Sequence, residues 1–416
     1  MSEQYDLLII GGGPAGLSAA IYGARARLKT GILEKGAIGG QAFTTREIVN
    51  FPGFASTSGP ILVKALAEHA KGFGAEIIAE EVTSVDLCGE VKQINTKKGH
   101  SYQARAIILA PGAQPRLLNI PGEKALRGNG VSYCATCDAE FYQDQDVVVV
   151  GNGDAAIEEA MYITKFARKV TIIVIHDEGI VDCNRASAEK AFHHRQIEFV
   201  WNSVLTEIKG DLEVAAVVLK NLKTGELTEM PANGVFIYVG MIPGTGFLKN
   251  QVELDKCGYI IAEPSMETSA EGVFAAGDAT VKYLRQVVTA ANDGAVAAVA
   301  AERYLEEEHS FKQEIMNAET PVLLAFWNPA NSECINWLLH LEALASVIEK
   351  RVKLVKIDIS RKKRLAQRYK VEEIPSVVVL NKGNLLRQVT GEVGARCFRL
   401  DDSKLAGLIE NHYKNS

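Results

Sequence analysis

The sequence has few cysteines and no long uninterrupted run of apolar residues. Seven cysteines stand among 416 residues, an odd and sparse set that argues against the disulfide framework of a small secreted protein. The longest apolar stretch, residues 7–24, is broken by glycines and a proline, so it does not predict a membrane span. Acidic rather than basic residues stand ahead of it, which does not predict a signal peptide. We therefore expect a cytoplasmic protein.

The sequence also lacks a strong charge of one sign. Its net charge is −6, but residues from 315 onward carry 16 basic and 11 acidic side chains, whereas the remainder carries 29 basic and 40 acidic ones. Such a shift predicts a separate C-terminal domain. It does not predict nucleic-acid binding, which needs a concentrated basic face. We expect neither a nucleic acid nor a membrane as partner.

One pattern occurs twice: an apolar run, a glycine turn and a helix of small residues. The first copy covers residues 5–26 and the second covers residues 145–167. Apolar runs without alternation predict strands that are buried on both faces, as in a parallel sheet. The two copies predict an α/β protein with two Rossmann-like three-layer nucleotide-binding domains. Residues 81–99, between the copies, alternate and predict a β-meander.

A third pattern fills the last hundred residues. Residues 321–390 show the order βαβαββ, with a basic helix at 360–370, which predicts a small α/β domain. The charged stretch 306–314 before it predicts a linker or the end of a helix. The predicted domains are 1–113 together with 245–307, then 114–244, a linker at 308–318, and 319–416.

The first glycine turn predicts a nucleotide site. Gly11, Gly13 and Gly16 have the spacing G-x-G-x-x-G, directly after a strand and at the start of a helix. Glycines there let the backbone approach a pyrophosphate, to which the helix N-terminus offers free N–H groups. Glu34 ends the next strand, where a carboxylate can accept hydrogen bonds from ribose hydroxyls.

Four further segments resemble the flavin-binding segments of thioredoxin reductases. They are GGQAFTT (39–45), IVNFPG (48–53), GVFAAGDAT (272–280) and LRQVVTAANDGAVAA (284–298). The resemblance implies FAD as cofactor, with Asp278 at the ribityl chain and residues 285–287 over the isoalloxazine ring. It also implies a homodimer. The cofactor-binding residues predicted in this way are Gly11, Gly13, Gly16, Glu34, Gly40, Gln41, Asn50, Gly277, Asp278, Arg285, Gln286 and Val287.

Cys134 and Cys137 form a C-x-x-C pair just ahead of the second nucleotide strand. Two thiols this close can form a disulfide, and Asp138 beside them can pass a proton to or from a leaving thiolate. Zinc is the alternative, but it needs about four ligands and no second pair stands near, so we predict no metal. The resemblance implies that Cys134 attacks the partner. Family members often have an aromatic residue where this chain has Glu140.

The second turn leaves the electron donor open. Gly151, Gly153 and Ala156 keep the shape of a pyridine-nucleotide site, but the NADPH-binding arginines of the family are replaced by HDE at 176–178. Two carboxylates would repel a 2′-phosphate, so NADPH is disfavoured. Asp177 could accept the ribose hydroxyls of NADH. Alternatively, ferredoxin reduces the flavin, as in the ferredoxin-linked flavin thioredoxin reductases that this chain resembles in lacking those arginines. We favour ferredoxin slightly.

Residues 320–337 resemble the active-site segment of thioredoxin, and they imply a thioredoxin-like C-terminal domain. Cys334 falls on the second cysteine of that pattern, Asn331 takes the place of the first, and Pro375 matches the cis-proline of the fold. Without a thiol at 331 the domain cannot cycle as an ordinary dithiol, and we interpret Cys334 as a buried remnant. The basic helix predicts a solvated face, or else a contact for the acidic reductase part of the chain or for an acidic protein such as ferredoxin.

Together these features predict an FAD-dependent enzyme of the thioredoxin-disulfide reductase type. Electrons would pass through FAD and the Cys134/Cys137 dithiol to thioredoxin or a similar small disulfide protein. Two alternatives stay open: a flavin oxidase or peroxide-system reductase, and a non-enzymatic flavin-bound scaffold whose thioredoxin-like domain binds partners.

Overall fold

The chain folds into two compact units, residues 1–305 and 306–416. The computed structural model describes residues 3–45, 47–316, 318–347, 352–360, 363–381 and 383–390; Cys397 and the rest of the C-terminal segment lie outside the described residues. Both units are built from sheets with helices on their faces, as the sequence predicts.

The first sheet has seven strands, and Glu3–Ile10 lies near its centre. This strand is apolar and almost wholly buried beyond its first residues because helices cover the sheet. It pairs in parallel with Thr30–Glu34 on one side and with Ser101–Leu109 on the other. The sheet is completed by Glu76–Ala79, Val82–Asp86, Lys92–Thr96 and Val273–Ala275.

The last of these strands comes from far along the chain. Val273–Ala275 pairs in parallel with Ser101–Leu109, so residues near 275 return to the sheet that residues 3–109 build. Val82–Asp86 and Lys92–Thr96 run antiparallel, as the predicted meander requires. The structure therefore assembles this part of the protein from two separated stretches of the chain. We call the sheet of residues 3–109 and Val273–Ala275, together with its helices, the first nucleotide-type layer.

The second nucleotide-type sheet lies within residues 131–237. It has five parallel strands, with the apolar strand Asp146–Val150 in the middle. The other strands are Val131–Ser132, Lys169–Ile173, Ile197–Val200 and Gly234–Ile237. An antiparallel sheet beside it contains Ser203–Lys209, Ala216–Asn221 and Leu227–Pro231.

A two-stranded ribbon marks where the chain passes between the two nucleotide-type layers. Ala113–Pro115 pairs antiparallel with Met241–Pro243, close to the predicted boundaries at 113/114 and 244/245. Since both crossings lie side by side, the second layer is an insertion into the first. The boundaries themselves stay predictions.

The second unit has a four-stranded sheet in the order Lys353–Asp358, Val322–Trp327, Ser376–Asn381 and Asn384–Thr390. Apolar clusters cover both of its faces. The peptide bond between Ile374 and Pro375 is cis.

The helices of the described residues cover the faces of these sheets. They are Pro14–Arg25, Gly40–Phe43, Gly59–Gly72, Ala135–Asp138, Asp154–Ile163, Arg185–Phe192, Val287–Phe311, Ser332–Val347 and Lys363–Arg368, with 3₁₀ turns at Ala139–Tyr142 and Gly277–Ala279 and a π turn at Lys312–Met316. No helix in the described ranges is long and apolar enough to cross a membrane.

The structure refines two local expectations. For the charged stretch, which was predicted as a linker or the end of a helix, residues 308–316 are helical, because Phe311 and Ile315 lie one turn apart and are both buried in the core of the second unit. The basic helix is not only a solvated face. In its described part Leu365 is buried and the Arg368 guanidinium donates to Glu308 at 2.7 Å, because one side of the helix packs on the unit's own core.

Candidate active site

The first glycine turn brings strand and helix into close contact. A Cβ on Gly16 would lie 1.9 Å from the carbonyl oxygen of Gly11, so a side chain at that position would separate helix and turn. Gly11 itself has φ +108°, a conformation that favours glycine. A Cβ on Gly13 would meet nothing within 4 Å. The turn is thus closed on its protein side and open in front of the helix N-terminus.

Glu34 lies at the same turn. Its Oε2 accepts a hydrogen bond of 2.7 Å from the Gly12 amide, and its Oε1 accepts one of 2.9 Å from the Gly36 amide. A Cβ on Gly40 would lie 3.3 Å from the Cα of Gly13, so the segment after the second strand also adjoins the turn. Residues predicted from three separate motifs therefore meet at one helix N-terminus.

Asp278 supplies an unsatisfied acceptor. Its Oδ1 is buried and has no hydrogen-bond partner in the described part of the chain, and burial raises the pKa of its carboxyl. Gly277, beside it, has φ +77°, and a Cβ there would lie 2.8 Å from the Cβ of Ala15 in the first helix. A buried acceptor without a partner usually marks a missing donor.

These features fit FAD. Its pyrophosphate would find the open glycine turn and the free helix N–H groups, its adenosine ribose the Glu34 carboxylate, and a ribityl hydroxyl the orphan oxygen of Asp278. The roles of these residues stay predictions, but the donors and acceptors suit a ligand of alternating hydroxyls and phosphates.

Other predicted cofactor residues are engaged with the protein. The Arg285 guanidinium donates to the carbonyl oxygens of Asp278 and Thr280, each at 3.2 Å, and lies 4.3 Å from the ring centroid of Tyr259. It therefore holds the Asp278 loop in place. Gln41 Oε1 accepts a hydrogen bond of 3.0 Å from Arg127 of the inserted layer. Val287 begins the long helix.

Cys134 and Cys137 are joined by a disulfide at the start of the helix Ala135–Asp138. The Cys134 amide donates to Ser132 Oγ at 3.1 Å, and the Ser132 hydroxyl donates to Asp138 Oδ2 at 2.5 Å. Burial raises the pKa of the Asp138 carboxyl, and the Ser132 hydrogen bond partly offsets this rise. Asp138 is thereby placed as an acid or base beside the dithiol.

The disulfide also touches the first nucleotide-type layer. Gln286 Nε2 lies 2.9 Å from Thr136 Oγ1 and 3.9 Å from Cys134 Sγ, and Asn50 Nδ2 donates to Gln286 Oε1 at 3.1 Å. Asn50 and Gln286 were predicted at the flavin, and the structure places their side chains between that layer and the dithiol.

Four residues near the dithiol escaped the sequence analysis: Ser132, Thr136, Glu159 and Tyr238. Glu159 and Tyr238 both approach the backbone of Ala135, and burial raises the pKa of both side chains. Glu159 follows the second glycine turn on the helix Asp154–Ile163. The sequence could have revealed Glu159, because it is a glutamate on the otherwise apolar face of a predicted helix. No group of three or more His, Cys, Asp or Glu side chains in the described ranges could hold a metal.

The second glycine turn has the expected shape. Gly151 has φ +128°, a Cβ there would lie 2.4 Å from the carbonyl oxygen of Tyr238, and a Cβ on Gly153 would meet nothing within 4 Å. Ala156 is fully buried beneath the turn. The backbone thus retains the form of a dinucleotide turn.

Carboxylates surround this second turn. Asp182 accepts from Asn152 Nδ2 at 3.2 Å and lies 3.0 Å from His176 Nε2. Asp154 Oδ1, in the first turn of the helix, accepts from the Asn184 amide and from its side chain at 2.7 and 2.8 Å.

The predicted ribose acceptor is already paired. Asp177 forms an ion pair with Lys223, which lowers the pKa of its carboxyl. Glu178 is exposed.

The thioredoxin-like unit holds its altered segment as a helix start. Asn331 Oδ1 accepts from the amides of Glu333 and Cys334 at 2.9 and 3.2 Å, which is the hydrogen bonding of an N-cap. Cys334 is fully buried.

Two protein-family models match this chain. The model of the pyridine nucleotide-disulphide oxidoreductase family matches residues 5–294, and the thioredoxin family model matches residues 303–399.

Individual proteins are similar over long stretches. Thioredoxin reductase of Peptoclostridium acidaminophilum is 51% identical over 74% of this chain and 98% of its own length. The bifunctional thioredoxin reductase/thioredoxin of Mycobacterium leprae is 34% identical over 98% of this chain and 97% of its own. The crystal structure of thioredoxin reductase from Streptococcus pyogenes is 43% identical, with a TM-score of 0.70 over 74% of this chain and all of that chain.

Proposed function

The chain belongs to the pyridine nucleotide-disulphide oxidoreductase family, with disulfide reductase activity of the thioredoxin reductase type, and from this premise we propose that ferredoxin or NADH, rather than NADPH, is its electron donor. We also propose that the Cys134–Cys137 pair passes electrons, which bound FAD would receive from this donor, to the disulfide of thioredoxin. The observation that supports this most directly is the disulfide itself, which lies against Gln286 of the predicted flavin layer.

Bound FAD, once reduced by the electron donor, would supply the two electrons that open a disulfide. The chain's own residues do the remaining work. Gln286 joins the two nucleotide-type layers at the dithiol, and Arg127 joins them at Gln41. Asp138, buried and supported by Ser132, exchanges a proton with a sulfur as the Sγ–Sγ bond breaks.

The reduced pair then passes its electrons on by thiol–disulfide exchange. We propose that Cys134 attacks the partner disulfide and forms a mixed disulfide, which Cys137 resolves. The partner is a separate thioredoxin, because the chain's own thioredoxin-like unit has Asn331 where the attacking thiol would be. That unit therefore cannot accept the electrons as an ordinary dithiol.

The donor proposal rests on the charges at the second glycine turn. Asp154 and Asp182 flank the turn, and after the next strand follow Asp177, which is paired with Lys223, and the exposed Glu178. A dinucleotide would bring a pyrophosphate to these carboxylates, and NADPH would add a 2′-phosphate. Like charges about 4 Å apart repel by roughly 1 kcal/mol even in water. NADPH is disfavoured most, NADH less, and ferredoxin does not need the turn, so we favour ferredoxin.

An anaerobic titration of the oxidised, FAD-loaded protein tests the donor. NADH, NADPH and reduced ferredoxin are added separately, and bleaching of the flavin absorbance is followed. We expect ferredoxin to reduce the flavin fastest and NADPH slowest. Rapid bleaching by NADPH at micromolar concentration would contradict the proposal. A homodimer and a cytoplasmic location stay predictions.

A further inference from the structure

A chain of hydrogen bonds starts in the first nucleotide-type layer and ends on the sulfur of Cys134. Asn50 Nδ2 donates to Gln286 Oε1 at 3.1 Å, and Gln286 Nε2 donates to Thr136 Oγ1 at 2.9 Å. Thr136 Oγ1 lies 3.4 Å from Cys134 Sγ. Three contacts thus connect Asn50 with one of the two redox sulfurs.

The direction of this chain follows from its chemistry. A disulfide sulfur carries no hydrogen, so the Thr136 hydroxyl is the donor in its contact with Cys134. The Thr136 oxygen in turn accepts a hydrogen bond from Gln286, and Asn50 orients Gln286. Gln286 Nε2 also lies 3.9 Å from Cys134 Sγ. In the described part of the chain no hydrogen bond reaches Cys137 Sγ, so the two sulfurs differ.

We propose that Thr136 is a catalytic hydrogen-bond donor that makes Cys134, rather than Cys137, the sulfur that leaves as a thiolate when the disulfide is reduced. Reduction adds two electrons, breaks the Sγ–Sγ bond, and takes up one proton, which yields one thiol and one thiolate. The electrons are those that the thioredoxin reductase reaction delivers. A hydrogen bond to a charged sulfur is stronger than one to a neutral sulfur, so Thr136 stabilises the charge at Cys134. Gln286 and Asn50 are positioning residues.

This series of hydrogen bonds also joins two parts of the molecule. Asn50 and Gln286 stand on the first nucleotide-type layer, whereas Thr136 and Cys134 stand on the inserted one. The stabilisation of the Cys134 thiolate therefore depends on the two layers standing as they do here. If they separate, Thr136 loses Gln286, and a thiolate that is less stabilised is also a stronger nucleophile. The inference rests on the proposed role of Cys134 and Cys137 as the working dithiol.

The test measures the thiol of Cys134 directly in the full-length, FAD-loaded protein. In a Cys137→Ser background Cys134 cannot form the disulfide, and its alkylation by iodoacetamide is followed against pH by peptide mass spectrometry. Thr136→Val should move the midpoint up by about one pH unit, a tenfold lower thiolate fraction below the midpoint. Thr136→Ser should restore the original midpoint, and Gln286→Leu should shift it in the same direction by a smaller amount.

Two comparisons make the outcome decisive. Thr206→Val, which removes a hydroxyl that donates to the Val218 carbonyl at 3.0 Å in the separate antiparallel sheet, should leave the midpoint unchanged. In a Cys134→Ser background, Thr136→Val should leave the midpoint of Cys137 unchanged. The proposal would be overturned if Thr136→Val left the alkylation midpoint of Cys134 unchanged or shifted the midpoints of both cysteines equally. If Thr136→Val does not fold, Gln286→Leu decides alone, since it leaves the dithiol loop intact.

The alkylation needs neither an electron donor nor thioredoxin. A protein that fails to reduce thioredoxin but shows the Thr136 shift would refute the proposed function, and it would leave only the stabilisation of the Cys134 thiolate by Thr136. A protein that reduces thioredoxin without the shift would do the reverse.

Discussion

The hydroxyl of Ser132 donates a hydrogen bond of 2.5 Å to the carboxylate of Asp138, and the same serine oxygen accepts from the amide of Cys134 at 3.1 Å. Ser132 is buried, with 4% of its surface exposed. It therefore ties the proton-transferring group to the backbone of the first cysteine, and it opposes the rise in the pKa of Asp138 that burial causes.

Ser132→Ala should shift the pH dependence of thioredoxin reduction. Without the serine hydroxyl the pKa of Asp138 rises further, so the limb of the pH–rate profile that reports this carboxyl should move up by about one pH unit. Steady-state rates between pH 5 and pH 9 measure it. Ser203→Ala is a matched control, since Ser203 is also buried and donates to the Trp201 carbonyl at 2.9 Å. If both variants shift the profile equally, Ser132 has no special role.

Asp138→Asn should separate activity from stability. We expect a loss of about 10²-fold or more in turnover, because the variant cannot exchange a proton with the sulfur.

The stability of the same variant should rise with pH relative to the native protein. Burial raises the pKa of Asp138 above its ordinary value of 3.8, so the folded protein keeps a proton that the unfolded chain has lost. The native protein therefore loses stability as the pH rises from that value through the raised pKa. The loss is about 1.4 kcal/mol for each tenfold difference in proton affinity between the folded and the unfolded carboxyl. Urea unfolding at pH 4 and pH 8 measures the difference. Asp211→Asn, which changes an exposed carboxylate, should show no such dependence.

Substitution of the two cysteines should have different effects on the trapping of thioredoxin. Cys137→Ser should retain an attacking Cys134 and accumulate a mixed disulfide with thioredoxin, because the resolving thiol is gone. Cys134→Ser should be inactive and should not trap the partner. Non-reducing electrophoresis after incubation with oxidised thioredoxin shows the adduct. Cys257→Ser, which removes an exposed free cysteine, should behave as the native protein, and trapping by Cys134→Ser instead would reverse the assigned roles.

Gly16→Ala should abolish or severely weaken FAD binding. The added Cβ would lie 1.9 Å from the carbonyl oxygen of Gly11, so the turn and the helix must separate. We expect at least a tenfold weaker FAD affinity, measured by flavin fluorescence on titration of the apoprotein, with the far-ultraviolet circular dichroism largely retained. Gly72→Ala, at a helical position where a Cβ meets nothing within 4 Å, should bind FAD normally. A Gly16→Ala protein that binds FAD with the native affinity would show that this turn does not hold the cofactor.

Local sequence determined the elements of this protein and its chemistry. The spacing of Gly11, Gly13 and Gly16 encodes a backbone turn, and an apolar run without alternation encodes a strand buried on both faces, so both could be read from neighbouring residues. The C-x-x-C spacing of Cys134 and Cys137 likewise allows a disulfide over a few bonds. The degenerate thioredoxin segment could be recognised because one position, Asn331, differs from a short pattern.

Only the tertiary structure decided which side chains serve the dithiol. Gln286 lies 152 residues from Cys134 along the chain, and Arg127 lies 86 residues from Gln41, so no local pattern connects them. Serine and threonine hydroxyls are too common to single out Ser132 or Thr136, because a hydroxyl matters only when folding brings a carboxylate or a sulfur within about 3 Å. The sulfurs were visible in the sequence, whereas the hydrogen bonds that make them different depend on how distant segments pack.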